Sequence, residues 1–130
     1  MTSLENRAMR IYVAGPYSAP GRIQTENNVK TVIECGVEIL KKGHYPYLPH
    51  LTHYVELLSQ EKGLGLAWED YIDWDIAWLE LCDALLYLGS SKGADLELAY
   101  AKKLGKVIFH HVNDVPTLSH RRQNLTKLRK

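Results

Sequence analysis

Residues 83–110, DALLYLGSSKGADLELAYAKKLGKVIFH, decide the fold. Asp83 to Leu88 is an almost unbroken apolar run, which is what a strand covered on both faces requires. Gly89 to Gly93 has the composition of a turn. Ala94 to Leu104 follows with helical periodicity and stops at Gly105, and Lys106 to His110 (KVIFH) returns to strand composition. A strand, a helix and a second strand joined by short connections form a right-handed crossover between parallel strands.

The same alternation runs through the preceding residues. Arg10 to Ala14 (RIYVA) predicts a strand that ends in the Gly15-Pro16 loop. Thr25 to Lys42 predicts a helix with Val29, Val32, Ile33, Gly36, Val37 and Leu40 on its apolar side and Gly43 as its stop. His44 to Leu48 (HYPYL) is a second strand, which Pro46 assigns to an edge or a bulge. Leu51 to Gln60 predicts a helix, Glu61 to Leu66 a Gly-rich loop, and Trp68 to Leu81 a strongly periodic helix. The expected fold is therefore α/β, a flavodoxin-like doubly wound and mostly parallel sheet of four to five strands with helices on both faces. In such sheets ligands bind beyond the carboxyl ends of the strands. Function is to be sought just after Ala14, Leu48 and Leu88.

A chain of 130 residues, 45% hydrophobic and 24% charged, has the size and composition of one globular domain rather than of a disordered or fibrous protein. The expected division is a single α/β domain over 1–116 and a basic tail over 117–130. That tail holds Arg121, Arg122, Lys127, Arg129 and Lys130 and no acid, which leaves residues 1–116 with a net charge of −4. An acidic body argues against a nucleic-acid partner, because phosphate binding needs a basic face. No apolar run approaches the ~20 residues of a membrane span, and no signal-peptide pattern opens the chain, so the expected setting is cytoplasmic without a membrane partner. Cys35 and Cys82 are expected as reduced core thiols.

Two carboxylates occupy positions where apolar residues belong. Trp68, Tyr71, Ile72, Asp75, Trp78, Leu79 and Cys82 form one helical stripe, and Asp75 is its only charge. An ionised carboxylate buried there without a partner costs several kcal/mol, so it is paired, pocket-facing or protonated. In the following helix Glu97 stands at the centre of a small-residue face with Ala94, Leu98, Ala101 and Gly105. Its position suggests the first helical turn, where the amide dipole favours an anion; the alternative for both acids is a structural charge, a helix-terminus interaction or an ion pair. Two carboxylates from adjacent strand and helix units suit a retaining glycosyl mechanism, with one as nucleophile and the other handling the leaving-group proton.

Three strings carry a resemblance. IYVAGPYS (11–18) contains Tyr12, DIAWLELCDALLYL (75–88) places Asp75 eight residues before Asp83, and GADLELAYAKKLGK (93–106) contains Gly93 and Glu97. Together they resemble the nucleoside 2-deoxyribosyltransferase superfamily, and in motif most nearly its 2'-deoxynucleoside 5'-monophosphate N-glycosidase branch. The resemblance implies Glu97 as nucleophile, Asp75 as the group that orients or protonates the base, and Tyr12 as the residue that positions Glu97. Six residues before the nucleophile the transferases have an aspartate and the hydrolases a phosphate-binding serine; here the residue is Ser91. A loop of Gly89, Ser90, Ser91, Lys92 and Gly93 ahead of a helix also suits a phosphate on chemical grounds, although the same residues make an ordinary polar turn.

The chain departs from the hydrolase pattern after Gly15, where PYSAPGR (16–22) replaces a Ser-x-Arg-Gly-Gly loop, leaving Ser18 and Arg22 as the available phosphate donors. His50 and His53 in PHLTH (49–53) follow the second strand. They lack a third ligand of compatible spacing, so no metal is expected; His50 is assigned to substrate, with a simple residue of the cavity lip as the alternative. Ser119, in Thr117-Leu118-Ser119, resembles the serine that the hydrolases contribute from a neighbouring subunit, which implies a homodimer with shared sites. The expected activity is hydrolysis of a (2'-deoxy)nucleoside 5'-monophosphate to free base and sugar phosphate, without a cofactor. A deoxyribosyltransferase and a non-catalytic nucleotide sensor are the alternatives; the base, and ribose against deoxyribose, stay open at this level.

Overall fold

The computed structural model describes residues 7–18 and 20–118. Four strands, β1 (Arg10–Ala14), β2 (Tyr45–Tyr47), β3 (Ala84–Tyr87) and β4 (Val107–Phe109), alternate with four helices, α1 (Arg22–Lys41), α2 (Thr52–Lys62), α3 (Trp68–Leu79) and α4 (Lys92–Lys103). The sheet has the order β2-β1-β3-β4, and every pairing is parallel. Strand order thus reverses at β1, which makes the crevice beyond β1 and β3 the topological switch point. The flavodoxin-like α/β fold expected from the alternation of elements is present, with four strands.

The two faces of the sheet bury different partners. Ile11 and Val13 of β1, Ala84 and Leu86 of β3, and Val32 and Ile39 of α1 form one core. Tyr12, Ala14 and Leu85, pointing the other way, pack with Leu79 of α3 and Ala94 and Ala101 of α4. Alternation along β1 and β3 supplies both faces, because successive side chains leave a strand on opposite sides. β2, with Pro46 at its centre, forms an edge of the sheet, where a missing amide proton costs no ladder bond.

The structure corrects three expectations about helices. α1 begins at Arg22 and buries Val29, Val32, Gly36 and Ile39, while Val37 and Leu40 are exposed. The apolar residues of α1 cover more of its circumference than the sheet can bury, so docking selects a narrower stripe. A Cβ on Gly36 would lie 2.7 Å from Leu48 Cδ1, so any larger residue there would have to displace the Leu48 side chain. On α3 the stripe is divided as well: Asp75 and Leu79 are buried, but Trp68 and Trp78 are 41% and 48% exposed. α4 begins at Lys92, two residues earlier than expected, because Ser91 accepts the Ala94 amide proton at 3.1 Å and acts as its N-cap.

A buried histidine ties the ends of the body together. The Met9 amide donates to His44 Nδ1 at 3.0 Å, and His44 Nε2 donates to the Pro116 carbonyl at 2.6 Å. The Leu118 amide then donates to the Lys42 carbonyl at 2.8 Å, so residues 117 and 118 of the expected tail lie against the body. The rest of that tail, Ser119 included, lies outside the described residues. Cys35 is half-buried and Cys82 buried, and both are free thiols. Among the described residues no helix is long and apolar enough to cross a membrane.

Candidate active site

A cavity of about 690 Å³ opens at the carboxyl ends of the strands, and Asp75 and Glu97 both line it. Its walls come from the β1–α1 loop, α2, the start of α3 and the start of α4. The cavity lies where the parallel topology places a ligand site.

Tyr12 projects from the centre of β1 toward α3 and α4, fully buried, and its hydroxyl donates to Glu97 Oε2. Burial, followed by the negative charges of Glu97 and Asp75, raises the phenol far above its usual range, so Tyr12 remains a donor. Glu97 itself is buried, and desolvation pushes its carboxyl up to about 7 against the opposing hydrogen bond from Tyr12. Here the structure corrects the sequence reading. With α4 starting at Lys92, Glu97 stands beyond the first turn, where the dipole has little effect, and burial dominates its titration.

Asp75 is buried with Oδ1 lacking a hydrogen-bond partner. Desolvation, and then the charge of Glu97, push its carboxyl up to about 8. Around neutral pH the site therefore favours a protonated Asp75 beside a Glu97 that releases its proton more readily. Two carboxyl groups with environments that separate their titrations are the arrangement needed for one acid and one nucleophile. No ion pair among the described residues includes either acid.

The other sequence-selected residues occupy the walls. Gly15 is buried where β1 and β3 end side by side, and a Cβ there would press on Leu88 Cβ at 3.2 Å. Ser18 is exposed on the rim, while Ser91 and Gly93 line the cavity at the start of α4. His50 is buried and its Nε2 donates to the carbonyls of Gly15 at 3.0 Å and Pro16 at 2.8 Å. Burial lowers its pKa, the carbonyl bonds acting the other way, so a neutral ring holds the β1–α1 loop in place. Its Nδ1 is buried without a partner.

Among the wall residues that the sequence reading did not single out are Tyr17 and, on α2, Glu56, Leu57 and Gln60. The Tyr17 hydroxyl lies 2.7 Å from His53 Nδ1, and Glu56 and Tyr71 line the cavity beside them. Lys92 Nζ sits 4.3 Å over the Trp68 ring at the mouth, a cation–π contact joining the starts of α3 and α4. Tyr54, on the same helix as His53 and Glu56, is 57% exposed and is not among the lining residues. Two signals were available for the α2 wall: the i, i+3, i+4, i+7 spacing of His53, Glu56, Leu57 and Gln60, and the position of α2 directly after β2. Among the described residues no group of three or more His, Cys, Asp or Glu side chains is placed to hold a metal ion.

Fold and site together define a flavodoxin-like α/β protein with a buried Tyr-Glu-Asp cluster opening into a ligand-sized cavity at the strand ends. The chain belongs to the family described as Domain of unknown function (DUF7768), whose profile matches residues 9–111 and so spans every strand and helix. No curated protein matches it at a significant level.

Proposed function

We propose that this protein is an N-glycosidase that hydrolyses a (2'-deoxy)nucleoside 5'-monophosphate, releasing free base and sugar 5-phosphate. The observation that carries the reading is the convergence of Asp75 and Glu97, from separate helices, on one cavity at the switch point of the sheet, with Tyr12 of β1 hydrogen-bonded to Glu97 behind it. Ionised Glu97, oriented by the Tyr12 hydroxyl, attacks C1' as the bond to the base breaks through an oxocarbenium-like transition state. The proton on Asp75 passes to the leaving base nitrogen. Water then attacks C1' of the glycosyl ester, its proton passes to the Asp75 carboxylate, and Glu97 departs as a carboxylate, which returns both groups to their starting states.

The 5'-phosphate is assigned to the rim. The amino ends of α1 and α4 both line the cavity, Gly21 provides α1 with no side-chain cap, and Lys92 lies at the mouth. Helix amino termini with a nearby ammonium favour a phosphate. Ser91 in place of an aspartate favours the hydrolase over the transferase, in which a second base would replace water. A sensor without chemistry would have no use for two carboxyls held at different protonation. The two free thiols suit a reducing cytoplasmic setting, and the resemblance extends the proposal to a homodimer with Ser119 contributed across the interface.

The deciding experiment is a screen of nucleosides and their 5'-monophosphates for free-base release, run with and without a labelled acceptor base. Release from monophosphates without label incorporation is expected. Incorporation of label would move the assignment to the transferase, and absence of release would remove the enzymatic reading.

A further inference from the structure

Tyr12 and Tyr47 are register partners on the adjacent parallel strands β1 and β2, so their side chains leave the sheet on the same face. Their rings stack with centroids 5.4 Å apart and planes 26° apart, and the Tyr47 ring in turn stacks on Trp78 of α3 at 5.8 Å and 15°. These are the separations of favourable aromatic pairs. The row starts fully buried at Tyr12, passes through half-buried Tyr47 and ends at partly exposed Trp78. None of the three is among the residues lining the cavity, so the row backs the carboxyls from behind.

The row stands where the sheet is open. β2 is an edge strand of three residues, and no further strand of the sheet covers its outer side. On the β3 side Tyr12 has fully buried Leu85 as its register partner, and on the β2 side it has Tyr47. A phenol that must keep its hydroxyl on Glu97 needs packing on both sides, because a ring with space beside it leaves its rotamer unlocked. Asp75 and Trp78 are three residues apart on α3, so the indole that supports Tyr47 comes from the same side of that helix as the acid.

Resting on the glycosidase reading, we propose that Tyr47 is a positioning residue of the site: its ring, supported by Trp78, holds the Tyr12 hydroxyl on Glu97 and closes the edge of the sheet to water behind Asp75. Both tasks belong to the ring rather than to its hydroxyl. Water admitted there would solvate the Asp75 carboxylate and bring its titration, which burial raises to about 8, back toward the ordinary carboxyl range. The titratable groups that face Asp75 from neighbouring elements are Glu97 of α4, Tyr12 of β1 and Tyr47 of β2. The other charged residues lining the cavity are Arg22, Glu56 and Lys92, and replacing the Tyr47 ring alters none of them. Glu97 is the poorer reporter, since admitted water would lower its pKa while a loosened bond from Tyr12 would raise it.

The test compares the wild type with Tyr47→Phe, which keeps the ring, and Tyr47→Thr, which removes it but keeps a good strand former. One readout is the pH profile of base release from the four common 2'-deoxynucleoside 5'-monophosphates, with kcat and KM resolved. The other, independent of activity, is the titration of Asp75 by carboxyl ¹³C NMR, its signal identified by its loss in Asp75→Asn. Tyr47→Phe should match the wild type in both. Tyr47→Thr should lower kcat by about 10–100-fold with KM within about threefold, as expected for a residue that does not touch the substrate. It should also move the Asp75 midpoint, and with it the alkaline limb of the profile, down by about one pH unit. Should Tyr47→Thr not fold, Tyr47→Leu removes the flat ring while keeping apolar volume, and about half that shift is expected of it. An unmoved Asp75 midpoint without the ring, or a Tyr47→Phe variant as impaired as the ringless one, overturns the inference while the glycosidase stands. Absence of base release by the wild type removes the glycosidase instead. The NMR titration then decides the seal alone, a downward shift in the ringless variant upholding it and no shift overturning it.

Discussion

At Asp75 and Glu97 burial opposes the charge that each group would carry in water, and the consequences reach both rate and stability. Base release should follow a bell-shaped pH profile, rising as Glu97 ionises near pH 7 and falling as Asp75 loses its proton near pH 8. Asp75→Asn should remove the alkaline limb and lower kcat by about 10²–10⁴-fold. Stability takes the opposite course to ionisation. Both carboxyls hold protons more tightly folded than unfolded, where their values are about 4, so their contribution is complete below about pH 4 and is lost as pH rises through 7 and 8. Asp75→Asn should accordingly gain stability relative to the wild type between pH 5 and pH 9, by about 1–3 kcal/mol; an unchanged difference across that range would show that Asp75 is ionised throughout. Glu97→Gln should fold normally and lose base release by at least about a thousandfold, since a neutral amide is no nucleophile. Retention of more than about a tenth of the wild-type kcat, roughly 1.4 kcal/mol of barrier, would remove Glu97 from that role.

At the scale of elements, α4 joins structure to ligand through one side chain. Ser91 accepts the Ala94 amide proton and also lines the cavity, so a loss of activity on truncation could reflect either part. Two substitutions separate them. Ser91→Ala should cost about 1 kcal/mol of stability as a lost cap, and should lower kcat/KM for a monophosphate while leaving the free nucleoside nearly unaffected. Ser91→Asp keeps a capping oxygen, so its melting temperature should stay near the wild type. Its negative charge should nevertheless reduce the preference for monophosphate over nucleoside by about tenfold or more. Equal effects of both substitutions on both substrates would assign Ser91 to the cap alone.

At the scale of the whole molecule an aromatic face of α3 stays about half exposed. Trp74, Trp78 and Leu81, spaced i, i+4, i+7, are 40%, 48% and 61% exposed, and Trp78 stacks on Tyr47 at the edge of the sheet. Aromatic residues concentrate in interface cores, which makes this face the expected centre of the proposed homodimer. Light scattering at micromolar concentration should give the dimer mass, and Trp78→Glu should shift it toward the monomer. A wild-type monomer would dismiss the dimer and, with it, the contribution of Ser119 across an interface.

The sequence by itself determined the order of elements and the two acids set among apolar or small neighbours, and it limited the strand with Pro46 to an edge or a bulge. Each depends on spacing within a few residues, where strand and helix periodicity are geometrically required. Tertiary structure decided which apolar residues are buried. α1 carries Val37 and Leu40 as well as Ile39, and docking against β1 and β3 buries only the last. The Tyr12 to Glu97 hydrogen bond spans 85 positions and exists only because β1 and α4 meet across the sheet. The titration of Glu97 was misread from its place along the helix because desolvation depends on all that surrounds a group in three dimensions. The α2 wall, with Glu56 facing Tyr17 and Tyr71, was likewise settled by the path of the chain after β2, since helical spacing names the face of a helix but not what that face meets.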